Sequence, residues 1–336
     1  MTIYVLHHAD SDGRFAAYAA WRHFKDNIGI DVSTIQFREV QYKQPFPYDI
    51  DSFTKEDQVY ILDFSYDRQT LDKVYEKVGL LKVLDHHATA EEQLKAAPYA
   101  FFDKTKSGAL LAWEYFFPDS SAPLACLLVD DFDMWAWKYP DTGAFESWLH
   151  FDRVRQNWAK WDLLCTVPEA MEHAIKTGKT IEQYNESVMH SITSVGSNMG
   201  FGDFVEWVDN PCNVTKEQVG LPPDDVPSQP VAEGSWTPPK TKVKIARYAV
   251  HNGLGIIHSQ LGGFICKKFE VDVSIGFRVK RNVVVFNVRS TDEEKGFAKQ
   301  VAERFGGGGH KCAASFIMPL SEGLEMIQAL FERRWI

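Results

Sequence analysis

The stretch Thr2-Ile3-Tyr4-Val5-Leu6-His7-His8-Ala9-Asp10-Ser11-Asp12-Gly13 decides how the first half of the chain is read. Thr2 to His7 is a short apolar run rich in β formers. It opens directly onto His8, Asp10 and Asp12 at alternate positions, which in extended chain point to one side. His7 falls on the opposite face from His8 and reads as structural. Gly13 to Lys25 then has helical character, through Phe15, Ala16, Ala19, Ala20 and Phe24. The same design returns twice. Val59 to Phe64 is a second apolar run, ending in Asp63-Phe64-Ser65, and Leu80 to Leu84 a third, ending in Asp85-His86-His87. Between them, Asp67 to Val78 is helical, with Leu71, Val74 and Val78 on one face. Short apolar strands separated by helices predict a parallel sheet covered on both faces. Its acidic strand ends then share one edge, where open α/β folds place their sites.

Outward from this core, Ser107 reads as the N-cap of a helix over Ala109 to Phe117, and the chain stays helical for roughly a hundred residues. The run Ala122 to Val129 leads into a fourth acidic group, Asp130-Asp131-Phe132-Asp133, and Thr180 to Ser197 is another helical stretch. Residues 209–241 hold seven of the fifteen prolines and read as a linker. Beyond it, Val243 to Val250, Val273 to Val279 and Val283 to Val288 read as strands. Ile256 to Phe269, Glu294 to Phe305 and Leu320 to Arg333 read as helices. The expected class is α/β: a parallel-sheet N-terminal domain with helical additions over residues 1–208, the linker, and a smaller α/β C-terminal domain over 242–336.

The net charge of -10 is unevenly spread. From Lys240 onward there are 16 Lys+Arg and 9 Asp+Glu, a net +7; the remainder has 20 and 37, a net -17. An acidic part that binds cations beside a basic part that binds an anion fits this pattern; an extended duplex-binding surface does not. Five widely spaced cysteines without Cys-x-x-Cys argue against a disulfide framework or a thiolate metal site, and point to a reducing cytoplasm. The acidic residues at 130, 131 and 133 interrupt the longest apolar stretch, and no secretory signal or membrane span is expected.

Converging carboxylates need a counter-charge. Two divalent cations would balance four of them, and mixed oxygen and imidazole donors suit Mn, Mg, Zn, Fe or Co. Asp63, central among the strands, is the candidate bridge between two ions. At the other end of the chain, Gly306-Gly307-Gly308-Gly309-His310 lets backbone amides approach an anion. Arg289 offers a planar fork for phosphate and Lys311 adds charge. Trp135, Trp137, Trp148, Trp158 and Trp161 cluster in the helical insertion, where they read mainly as core.

Asp85-His86-His87 is the signature that names the DHH phosphoesterases. The series His8-x-Asp10-x-Asp12-Gly13, Asp63-Phe64-Ser65, Asp85-His86-His87 and a later Asp resembles that family's four motifs in order. The glycine run with His310, Ala313 and Ala314, preceded by Arg289-Ser290, resembles the family's associated C-terminal domain. The resemblance covers roughly residues 1–135 and 243–318. It implies that His8, Asp10 and Asp63 hold one ion, and that Asp12, Asp63, His86 and a fourth-motif Asp hold the other. Asp131 is the expected fourth ligand, with Asp130 and Asp133 as alternatives. The ions would be Mn2+ in first place, or Mg2+ or Co2+. Asp63 and His87 would act at the reaction centre, His87 facing the scissile phosphate while Asp85 orients the histidines from behind. Arg289, Gly307, Gly308, Gly309 and His310 would bind substrate with His87.

The resemblance implies a metal-dependent phosphodiesterase acting on a short oligoribonucleotide or dinucleotide, and a homodimer. A phosphomonoesterase or exopolyphosphatase is the alternative within the family. A non-catalytic nucleotide-binding protein is the alternative outside it.

Overall fold

Strand and helix alternate as expected in the first hundred residues of the computed structural model, which describes residues 1–42, 44–194, 199–208, 241–252 and 258–332. The order is β1 (Ile3–His8), α1 (Ser11–Arg22), β2 (Gln36–Val40), β3 (Gln58–Leu62), α2 (Arg68–Lys77), β4 (Leu80–Asp85), α3 (Ala88–Gln93) and β5 (Ala100–Phe102). The five strands form a parallel sheet in the order β2-β1-β3-β4-β5.

Side-chain alternation divides the strands between two cores. Ile3, Val5, Tyr60, Leu62 and Leu84 pack with Phe15, Ala16 and Ala19 of α1. Leu6, Val59, Ile61, Leu81 and Val83 pack with Leu71 and Val74 of α2. Both faces are therefore covered, which is why these strands read as nearly continuous apolar runs. The helical insertion follows as α4 (Gly108–Phe116), α5 (Leu124–Asp133), α6 (Thr142–Asp152), α7 (Trp158–Thr166) and α8 (Pro168–Ser194). Ser107 caps α4 by accepting a hydrogen bond from the Leu110 amide. Trp113, Phe145, Trp148 and Trp161 join the α1 side of the core.

The chain divides into two compact units, Met1–Tyr184 and Asn185–Ile336. The expected boundary lay at 208. Residues 199–208 form β6 (Met199–Val208), which pairs antiparallel with β7 (Thr241–Asn252) in the second sheet and does not extend the first unit. The expected linker lies, but for Thr241, outside the described residues. The second unit continues with α9 (His258–Phe269), β8 (Val273–Lys280), β9 (Val283–Ser290), α10 (Phe297–Arg304), β10 (Gly308–Gly309), β11 (Ala313–Pro319) and α11 (Leu320–Phe331). Its sheet runs β10-β11-β9-β8-β7-β6, parallel only between β7 and β8. Tyr248, Ile275, Phe286, Val288 and Phe316 meet Ala298, Ala302 and Leu330 in its core.

Candidate metal centre

Because the first sheet is parallel, the C-terminal ends of β1, β3 and β4 bring His8, Asp63 and Asp85-His86 to one edge. The turn from β1 into α1 adds Asp10 and Asp12. Asp10 caps α1 by accepting from the Gly13 amide at 2.9 Å. A Cβ at Gly13 would lie 2.4 Å from the His8 carbonyl oxygen, so only glycine lets the helix start this close to the strand. Asp63 has a left-handed backbone (φ 56°), and its amide donates to the Leu84 carbonyl at 2.8 Å. Gly108, first in α4, sits so close that a Cβ there would fall 2.3 Å from Asp63 Cβ. Strain at a non-glycine residue persists where the surroundings enforce it, often at a functional site.

The ligand-bearing atoms fall into overlapping groups: His8, Asp10 and Asp63; Asp12, His86 and Asp133; and Asp63, His86 and His87, each with one donor atom per residue within 4.8 Å of the others. The His8 Nδ1 meets Asp10 Oδ2 and lies 3.8 Å from Asp63 Oδ2. The His86 Nε2 lies 3.2 Å from Asp63 Oδ1, 3.4 Å from Asp133 Oδ2 and 3.8 Å from Asp12 Oδ2. The two oxygens of Asp63 thus turn to different groups.

The electrostatics follow from this crowding. Burial, then the charges of Asp12, Asp10 and the other carboxylates, push Asp63 and Asp133 well above the usual carboxylate range. Burial alone would raise Asp10 as well, but the His8 ring outweighs it and brings Asp10 down to about 2. Burial lowers His86, whereas in His87 the Asp85 hydrogen bond overcomes burial and raises the ring. Asp63 Oδ1 and Asp133 Oδ2 are buried without a hydrogen-bond partner among the described residues. Buried, repelling carboxylates aimed at a neutral imidazole are the donor set a divalent cation satisfies.

Asp85 takes another role. Its Oδ1 accepts from the His86 amide at 2.8 Å and contacts His87 Nδ1 at 2.7 Å, while Oδ2 accepts from Ser65 at 2.6 Å. It orients the His87 ring by holding that nitrogen.

The three acids of the fourth group face different ways. Asp131 faces away: its carboxylate accepts from the Lys138 amide at 2.8 Å, the Tyr139 amide at 3.2 Å and the Thr142 hydroxyl at 2.5 Å. Asp130 accepts from the Ser107 amide at 2.8 Å and so holds the start of α4. Asp133, in the last turn of α5, is the one that reaches His86. Asp12 has two tasks, since it also accepts from the Gly108 and Ala109 amides at 2.7 and 2.9 Å. Sequence reasoning missed two neighbours. Tyr42 packs its ring 5.4 Å from that of His8 and 6.0 Å from that of His87. Glu146 of α6 is buried and accepts from Ser11 at 2.6 Å. Nothing in the sequence ties either to the motifs, since each arrives from a separate segment.

In the second unit, Arg289 is the next-to-last residue of β9, and the amide of Ser290 after it donates to the Cys312 carbonyl at 3.0 Å. Burial lowers its guanidinium to about 10, so it keeps its charge at neutral pH. The glycine run differs from the expected cradle of amides. Gly308 and Gly309 form an edge strand, and the Gly307 and His310 amides donate to the Ala302 and Ala313 carbonyls, both at 2.8 Å. His310 itself is exposed.

No family model matches the sequence. A DHH domain from a member of a family of ribosomal proteins superposes with a TM-score of 0.50, covering 99% of this chain and 86% of that one at 15% identity. This chain has a DHH-type fold. Also similar are a pGpG-specific phosphodiesterase, PggH, from Vibrio cholerae (TM-score 0.46, 13% identity, 99% and 98% covered) and the RecJ of Thermus thermophilus in complex with Mn2+ (TM-score 0.49, 13% identity, 98% and 51% covered). Among curated sequences, uncharacterized protein R106 of Acanthamoeba polyphaga mimivirus is 30% identical over 198 residues, which are 56% of this chain and 46% of that protein. This chain thus spans about half the length of that relative. Among the described residues of this DHH-type chain, no helix is long and apolar enough to cross a membrane.

Proposed function

We propose that the chain is a metal-dependent phosphodiesterase of the DHH family, hydrolysing short nucleotide substrates. The observation that carries this reading is Asp63, which groups with His8 and Asp10 through one oxygen and lies 3.2 Å through the other from His86, itself grouped with Asp12 and Asp133. His8, Asp10 and Asp63 would hold one divalent ion; Asp12, Asp63, His86 and Asp133 would hold a second, with Mn2+ the first choice. Bound there, the ions would supply Lewis acidity that makes a water molecule nucleophilic near neutral pH.

The residues of the chain do the rest. Asp63 fixes the spacing of the two groups, its side chain held by the packing of Gly108 and its strained backbone. His87, raised by Asp85, tends to carry a proton and faces the phosphoryl oxygens as a hydrogen-bond donor. Ser65 and the amides of residues 86 and 87 hold Asp85 in place, so the His87 ring needs little reorganisation when charge develops. In the second unit, Arg289 and His310 have the chemistry to hold a phosphate or a sugar. No covalent intermediate with the protein is required.

The test is hydrolysis of a 5′-labelled RNA dinucleotide by wild type and Asp63→Asn, with Mn2+ and with chelator. Release of mononucleotide that needs Mn2+ and is lost in the variant supports the reading. Cleavage of phosphomonoesters or polyphosphate in place of the dinucleotide would move the substrate to that class. Failure to bind any divalent ion would leave a nucleotide-binding protein without catalysis.

A further inference from the structure

Helix α6 of the helical insertion carries none of the four motifs, yet one of its side chains takes hold of the ligand-bearing turn between β1 and α1. Ser11 stands between Asp10 and Asp12, and its hydroxyl donates to Glu146 Oε1 of α6 at 2.6 Å. The flanking acids are tied to backbone, Asp10 to the Gly13 amide and Asp12 to the Gly108 and Ala109 amides of α4. Glu146 in turn stands on a fixed base. The Thr142 hydroxyl, one helical turn before it, donates to Asp131 of α5, and Phe145, Trp148 and Leu149 bury α6 in the core.

For the fold itself Glu146 is a poor choice. It is 5% exposed. Besides Ser11, its Oε1 lies 3.1 Å from Nδ1 of the exposed His150. Its Oε2 is buried without a hydrogen-bond partner among the described residues. Taking a carboxylate out of water is costly, and one hydroxyl with one exposed imidazole offsets that only in part; an apolar side chain of similar volume would serve the core as well or better. Departures of this kind from the rules of burial concentrate at functional sites.

What Glu146 holds is a turn with a ligand on either side. Asp10 groups with His8 and Asp63, and Asp12 with His86 and Asp133. Each is one peptide unit from Ser11, so a shift of Ser11 carries one ligand of each group with it. We infer that Glu146 is a positioning residue of the metal centre: through its hydrogen bond to Ser11 it fixes the turn that aims Asp10 at one ion and Asp12 at the other. It touches neither ion nor substrate, and acts as the partners behind metal ligands do, by removing their freedom to turn away. This rests on the metal-dependent reading above.

The test is isothermal titration with Mn2+, and thermal unfolding with EDTA, of wild type, Glu146→Leu, Glu146→Gln, Ser11→Ala, and Ser11→Ala combined with Glu146→Leu. Glu146→Leu and Ser11→Ala should each weaken Mn2+ binding about 10- to 100-fold. The combined variant should be no weaker than Glu146→Leu, because both changes remove the same hydrogen bond. Glu146→Gln keeps an acceptor for Ser11 and should recover most of the affinity. Without metal, Glu146→Leu should unfold no lower than wild type. Wild-type affinity in Glu146→Leu overturns the inference, as does a loss in Glu146→Gln equal to that in Glu146→Leu, or losses that add in the combined variant. A metal-free Tm that falls together with affinity in Glu146→Leu makes the residue a support of the fold and overturns it too. If wild type binds Mn2+ but cleaves no phosphodiester, the titrations decide the role of Glu146 and only the hydrolysis is rejected. A wild type that binds no divalent ion overturns the positioning role along with the metal centre.

Discussion

Two acids on the last turns of α5, Asp131 and Asp133, make opposite contributions, and replacing each separates them. Asp131 accepts three hydrogen bonds from the segment after α5, and Asp133 faces other carboxylates. Asp131→Ala leaves two amides and a buried hydroxyl without their acceptor. At about 1 kcal/mol each, and more where the acceptor is charged, the loss comes to roughly 2–4 kcal/mol. For a unit of this size 1 kcal/mol moves Tm by about 2–4 °C, so the expected fall is about 5–15 °C. Asp133→Asn should do the reverse without metal. Its carboxyl is held well above the ordinary range by burial and by like charges, so ionising it opposes folding, and removing the charge should leave Tm unchanged or higher. Manganese inverts the ranking. A ligand at a hundred times its Kd adds about 2.7 kcal/mol to stability. That shift should persist in Asp131→Ala and shrink strongly in Asp133→Asn. The assay is thermal unfolding of wild type and both variants, with EDTA and with Mn2+ titrated to saturation. A full manganese shift in Asp133→Asn, or its loss in an Asp131→Ala protein of wild-type stability without metal, would refute the assignment of the two residues.

Gly108→Ala should cost about 1–3 kcal/mol in stability, since the new Cβ would fall 2.3 Å from Asp63 Cβ and neither backbone can easily move away. Isothermal titration with Mn2+ should show weaker binding as Asp63 shifts, and wild-type affinity in a folded variant would contradict this. His7 makes stability depend on pH: burial lowers it to about 4, its Nδ1 lies 2.8 Å from the His8 carbonyl, and its Nε2 faces the Gln156 amide nitrogen at 2.8 Å. This geometry fits a neutral ring, with Nδ1 donating and Nε2 accepting. The unfolded chain therefore binds the extra proton between pH 6.5 and about 4, and stability falls as pH drops through that window, by about 3 kcal/mol in all. Urea unfolding across this range should show a loss in wild type that is smaller by about that amount in His7→Gln; parallel profiles would sink the assignment.

The sequence was legible where the fold leaves a periodic mark. Strands β1, β3 and β4 are buried on both faces and stand out as apolar runs, and the parallel arrangement alone then aligns their acidic ends. Strand β2, Gln36-Phe37-Arg38-Glu39-Val40, was not legible because it is an edge strand with exposed positions and carries almost no apolar signal. Strand β6 escaped because it precedes the proline-rich stretch while its hydrogen-bonding partner follows it. The fourth acidic group needed geometry that residue types do not encode. Asp130, Asp131 and Asp133 lie in one helix turn, and which of them looks into the cleft depends on the helix's rotation about its axis. The left-handed Trp135 and Trp137 leave no trace either, since neither is a residue that announces a positive φ.

Pairing of β6 with β7 has a consequence for how the gene could be cut. The second unit is stitched from segments on both sides of residues 209–240, so a fragment begun at 242 would lose its outermost strand. The ladder of β7 would then stand open, an invitation to intermolecular pairing. A single peptide-bond break between 209 and 240 would instead leave β6 in place, held by its pairing with β7 and by the packing of Met199 and Phe201 on the second unit. The natural seam for separating the two halves lies upstream, near residue 185, inside α8.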